Sequence, residues 1–120
     1  MQNFIAQSMR RFGIEVGVAF QIVDDVLDFV ASPESIGKPV GSDLQQGLLT
    51  LPALCFLEAN PDDPIAQEFF NGHKRNRDLS LQVVRAVRDS GAVEAAMQEA
   101  YSYARNGQRA LDRMPAGDHL

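Results

Sequence analysis

The sequence predicts an all-α fold, and three observations carry that expectation. Apolar residues recur at helical spacing along the 120 residues, and no segment alternates apolar and polar as a half-buried strand would. Pro and Gly gather in clusters that separate the periodic segments. The opening thirty residues contain no proline, so nothing in them interrupts one long helix. About five helices are expected.

The first runs from about Gln2 to Ala31, roughly 45 Å long at 1.5 Å per residue. Ser32-Pro33 ends it, because proline disfavours helix at the residue before it. Ser32 to Gly47 is rich in Gly, Pro and Ser and reads as a loop. A second helix is expected from about Leu48 to Glu58, with Pro52 at a first-turn position or a kink. Asp62-Asp63-Pro64 forms a turn that caps a short third helix through about Phe70. Asn71 to Asp78 is a polar, basic connection. Leu79 to Asp89 is amphipathic, with Leu81, Val84 and Val87 set against Arg85 and Arg88, and Ser90-Gly91 breaks the chain before a last helix from Ala92 to Arg113.

The first helix is apolar on nearly every side. Val16, Val18, Ala19, Phe20, Ile22, Val23, Val26, Leu27, Phe29 and Val30 do not keep to one stripe, and a helix of that kind belongs in the middle of a protein. Four shorter helices cannot cover all of it. More chain, or another subunit such as a second copy in a dimer, is expected against it. Gly13 and Gly17, one turn apart, are expected to let a neighbouring helix approach closely.

Composition narrows the function. The formal charge is −5, and only Lys38 and Lys74 are lysines, which argues against a nucleic-acid binder with its basic stripe. The single cysteine, Cys55, excludes an internal disulfide and points to a reducing compartment; its apolar neighbours make it a buried, inert thiol. Met1 to Ser8 lacks the charged start and apolar core of a signal peptide. Glu15, Asp24, Asp25 and Asp28 interrupt the best stretch for a membrane span. A cytoplasmic location is expected.

Asp24, Asp25 and Asp28 lie within the apolar helix. Asp24 and Asp28 are four apart and share a face, Asp25 is offset by about 100°, and the Gln21 amide is within reach of both Asp24 and Asp25. Carboxylates seldom sit in apolar settings unless paired or bound to metal. Two ionised carboxylates ~6 Å apart repel by on the order of 3 kcal/mol at an effective dielectric near 20. A hard divalent cation resolves this, and Mg²⁺ commonly bridges one or two carboxylates to phosphate oxygens. The alternative is an exposed acidic face that needs no metal. In the loop that follows, the glycines of Gly37 to Gly47 permit close backbone approach, and Lys38 is a point charge suited to phosphate. Asp43 could orient Lys38, join the metal shell, or cap the next helix.

Phe20-Gln21-Ile22-Val23-Asp24-Asp25-Val26-Leu27-Asp28-Phe29 resembles the second aspartate-rich motif of the trans-isoprenyl (polyprenyl) diphosphate synthases. Gly37-Lys38-Pro39-Val40-Gly41-Ser42-Asp43-Leu44, with Gly47 and Thr50-Leu51-Pro52, is similar to the block that follows it in that family. The resemblance is sharp over about residues 12 to 58 and weakens to a similar helical pattern beyond. It implies that residues 1–120 are a single C-terminal segment of an isoprenoid-synthase helical bundle. The family condenses isopentenyl diphosphate with an allylic diphosphate and releases pyrophosphate. By resemblance, Asp24, Asp25 and Asp28 would hold Mg²⁺ against the allylic diphosphate, with Asp24 a direct ligand. Lys38 would contact that diphosphate, Gln21 would line the site, and Asp43 would stand beside it.

Two features depart from the family pattern. The family's first aspartate-rich motif and its basic residues for isopentenyl diphosphate do not occur here, and many members carry a basic residue where this chain has Leu48. The chain is therefore expected to hold half of an active site, as an inactive fragment or as a non-catalytic subunit that completes a partner synthase. A terpene cyclase or squalene-synthase relative shares the metal–diphosphate chemistry, but the Gly37-to-Asp43 block with Thr50-Leu51-Pro52 argues against it.

Overall fold

The computed structural model describes residues 2–30, 44, 46–71 and 77–114, and those residues form five α-helices with no strand among them. Helix α1 (Gln2–Val30) spans about 43 Å at 1.5 Å per residue. It is followed by α2 (Leu51–Ala59), α3 (Pro64–Asn71), α4 (Arg77–Asp89) and α5 (Ala92–Asp112). Most of the expected loop between α1 and α2, including Lys38 and Asp43, lies outside the described residues, as do residues 72–76 of the basic connection.

Local chemistry explains the boundaries. Helix α2 begins at Leu51, three residues later than expected, with Pro52 in its first turn, where a missing N–H costs no helical bond. Leu48 and Leu49 precede it in non-helical conformation, both exposed. Asn60 stops the helix by returning both its backbone N–H and its side-chain amide to the Phe56 carbonyl, at 2.9 and 3.1 Å. The expected cap of α3 is Asp63, whose Oδ1 accepts from the backbone N–H groups of Ile65 and Ala66 at 2.9 and 3.1 Å. Helix α4 ends at Asp89, and Gly91 turns the chain with φ +86°, a conformation glycine adopts without penalty.

The core has two parts. Ile22 and Val26 of α1 pack on Ala96 and Ala100 of α5, with Tyr103 and Met97 alongside. Helix α5 provides the most extensive partner surface for α1. The second part joins Phe29 and Leu44 to Phe56 of α2, Phe69 of α3, and Val83, Val84 and Val87 of α4. On α4 the buried stripe runs through Leu79, Val83, Val84 and Val87, while Leu81, expected to face inward, is 36% exposed. Cys55 touches both parts and is half-buried, less deeply than the sequence implied.

Among the described residues, no helix packs on the glycine pair. Gly13 and Gly17 face open space, with no described atom within 4 Å of where a Cβ would stand. The close approach occurs on the partner helix: a Cβ on Gly107 of α5 would lie 3.0 Å from Val16 Cγ2 and 3.5 Å from the Phe12 carbonyl oxygen. The reason is rotational. The α1 face that meets α5 carries Phe12, Glu15 and Val16, and the two glycines lie away from it.

That outer face is largely uncovered. Phe20 is 68% exposed, and Met9, Gly13, Gly17, Asp24 and Leu27 lie exposed on the same side. The radius of gyration, 18.0 Å, exceeds the ~14 Å of a compact domain of this length. An apolar stripe of this size, left open along a long helix, is a surface built for contact.

Candidate functional site

The aspartates fall in the C-terminal third of α1, where the helix passes from solvent into the second part of the core. Asp24 is exposed and lies between Phe20 and Leu27 on the outer face. Asp25 is half-buried, and its Oδ1 accepts a hydrogen bond from Gln21 Nε2 at 3.1 Å, one turn back. Asp28 is 1% exposed. It shares a face with Asp24, yet it lies one residue from Phe29, which is wholly buried in the core formed with α2, α3 and α4. The gradient follows from the packing: the last turn of α1 enters that cluster and takes Asp28 with it.

The structure therefore brings Gln21, Asp24 and Asp25 together at the open side of α1 and places Asp28 one turn deeper. No group of three His, Cys, Asp or Glu side chains converges on a metal-sized site among the described residues. The donors that are present still suit a hard cation. They are carboxylate oxygens, one free to solvent and one oriented by an amide, and Mg²⁺ retains several waters while binding through one or two carboxylates. The exposure of Asp24 also means that the isolated chain does not enclose this acid. An apolar residue one turn to either side, Phe20 and Leu27, is exposed with it. Lys38 and Asp43 lie outside the described residues.

Other groups are accounted for by packing. The Cys55 thiol is pushed above its ordinary range by burial first, then by the charges of Glu99 and Glu58, so it stays protonated and inert at neutral pH. Tyr101 is exposed while Tyr103 packs beside Ala96 and Ala100. Sequence reasoning missed a convergence of arginines from α1 and α5. Its only sequence trace is the pair Arg10-Arg11 and the four-residue spacing of Arg105, Arg109 and Arg113.

Fold and site together define an all-helical protein that displays paired carboxylates on the open side of a long helix. The chain belongs to the polyprenyl synthetase family, whose model matches residues 1–102. It is 34% identical over 94% of its length to heptaprenyl diphosphate synthase component 2 of Bacillus subtilis, of which it covers 32%. It is 38% identical to a prenyl transferase of Cyanophora paradoxa, matching over 92% of this chain and 33% of that protein. The crystal structure of heptaprenyl diphosphate synthase from Staphylococcus aureus superimposes with a TM-score of 0.83 at 31% identity, over 92% of this chain and 35% of that one. The chain spans about a third of the length of the relatives it matches. None of its described helices is long and apolar enough to cross a membrane.

Proposed function

We propose that this chain supplies the Mg²⁺–diphosphate half of a polyprenyl diphosphate synthase, which joins isopentenyl diphosphate to an allylic diphosphate. The observation that carries this reading is the pair Asp24 and Asp25 at the open side of α1, the second held by Gln21 at 3.1 Å. Asp24 is the direct ligand, Asp25 is oriented toward the same ion, and Asp28 stands behind them as the third acid of the motif. Lys38 contacts the diphosphate, with Asp43 beside it. Mg²⁺ bound there would neutralise the charge that builds on the departing diphosphate as its carbon–oxygen bond ionises.

Beyond Asp24, Asp25 and Asp28, these 120 residues repeat no such three-aspartate spacing. We therefore assign them one wall of a site that is completed by helices packed on the outer face of α1, around Gly13, Gly17 and Phe20. The completing helices belong to a longer synthase chain or to a partner subunit. The similarity to a synthase component of Bacillus subtilis favours the second arrangement. The lone cysteine supports a reducing, cytoplasmic setting.

Isothermal titration of the chain with pyrophosphate, with and without MgCl₂, tests the assignment. The Mg²⁺-dependent part of the binding should vanish in the Asp24→Asn, Asp25→Asn double variant; its persistence would overturn the metal role. Incubation with Mg²⁺, isopentenyl diphosphate and farnesyl diphosphate should give no longer prenyl product from this chain alone. Robust elongation would sink the half-site reading.

A further inference from the structure

The N-terminal half of α1 and the C-terminal end of α5 line an open hollow of about 540 Å³. Its walls carry Arg10, Arg11 and Arg113, with Phe4 and Ile14 as an apolar side and Glu15 as the one acid. A smaller hollow of about 90 Å³ adjoins it, shares Arg11 and Arg113, and adds Arg109 and Asn106. Four of the chain's eleven basic residues thus meet at one end of a molecule whose formal charge is −5. Among the described residues, the only ion pair these four arginines make is Arg11 with Glu15, at 3.8 Å, and Arg109 donates to Asn106 Oδ1 at 3.4 Å. Among the described lining residues, one carboxylate stands against four guanidiniums, an excess of positive charge on a concave surface.

Arginine presents a planar fork of donors that matches phosphate oxygens in pairs. Like charges gathered without counter-charge are relieved by an anion. The concavity, and the exposed Phe4 and Ile14 beside it, provide a place for an apolar substituent. We propose that this hollow binds a phosphorylated small molecule, with its phosphate or diphosphate on Arg11, Arg109 and Arg113 and its apolar part along Phe4 and Ile14. Arg11 precedes Asp24 by thirteen residues on one helix, roughly 20 Å at 1.5 Å per residue, so one small ligand does not occupy both places. The site uses no metal.

The test is titration of the chain with inorganic pyrophosphate in EDTA, followed by isothermal titration and by amide shifts in NMR spectra. EDTA silences the aspartate site, so failure here and failure of the Mg²⁺ assignment are read separately. Saturable binding is expected, with shifts confined to the N-terminal half of α1 and the end of α5, weakening as salt is raised. Affinity should fall at least tenfold in the Arg11→Ala, Arg113→Ala double variant and stay unchanged in Asp24→Asn. Both arginines are exposed, so far-UV circular dichroism should show the variant as helical as the parent. No binding in EDTA, or equal binding by the double variant, would overturn the proposal. So would binding of an oligoglutamate peptide without any binding of pyrophosphate, which would assign the hollow to a protein partner.

Discussion

Alanine at Gly107 and alanine at Gly17 are the same substitution in the same kind of element, and only the second should stabilise the fold. Both glycines lie inside helices, where replacement by alanine gains about 1 kcal/mol of helix propensity. At Gly17 the new methyl meets nothing within 4 Å, so the gain is kept. At Gly107 it would stand 3.0 Å from Val16 Cγ2, well inside the ~3.5–4.0 Å optimum for two carbons. Val16 cannot easily turn aside, because a β-branched side chain in a helix has one strongly preferred rotamer. Overpacking of this kind costs about 1–3 kcal/mol. Gly107→Ala therefore comes out between neutral and ~2 kcal/mol destabilising, and the two variants differ by roughly 1–3 kcal/mol. At about 4 °C per kcal/mol for a chain of this size, their melting temperatures should be separated by roughly 4–12 °C. Thermal unfolding by far-UV circular dichroism measures this, and urea unfolding should give the same order with an unchanged m-value. Equal stabilisation by both substitutions would refute the view that Gly107 is the point of closest approach between α1 and α5.

Two further outcomes follow from single contacts. Asp63→Ala removes the oxygen that accepts from Ile65 and Ala66 and should cost about 1 kcal/mol, read by urea unfolding, while Asp63→Asn should retain most of the cap. Cys55, its pKa raised in the folded chain by burial and by Glu99 and Glu58, should react with iodoacetamide at pH 8 more slowly than a free thiol. A raised pKa favours the folded state while the thiol is protonated. That contribution is therefore present in full below about pH 8.5, the ordinary thiol range, and is lost as pH rises beyond it; Cys55→Ser should flatten the alkaline fall in melting temperature.

The elements were legible because their signals are local. Asp63 before Pro64, Pro52 in a first turn and Gly91 between two periodic segments each state a boundary through their own backbone chemistry. What depends on a neighbour was not legible. Gly13 and Gly17 look like a contact surface in sequence, but a glycine pair does not say which helix uses it, and within this chain the approach is made at Gly107 on another face of α1. Leu81 has the spacing of a core residue, but α4 is rotated so that Val83 takes that place. The aspartates were found from their apolar surroundings, yet their unequal burial depends on where α1 enters the cluster around Phe29. The two pairs of arginines, Arg10 with Arg11 and Arg109 with Arg113, lie nearly a hundred residues apart in the chain and meet only because α1 and α5 pack together.

The contact between Gly107 and Val16 also has a consequence for insertions and deletions. It fixes α1 against turning about its own axis, like a key in a keyway, and Asp24 follows Val16 by about two turns, roughly 12 Å along the rod. One residue added or removed between these points would swing the Asp24 carboxylate by about 100° and shift it by ~1.5 Å. The same change upstream of Phe12 would leave its direction untouched. The span from Val16 to Asp24 is thus a fixed gauge, in which side chains can be exchanged but the number of residues cannot.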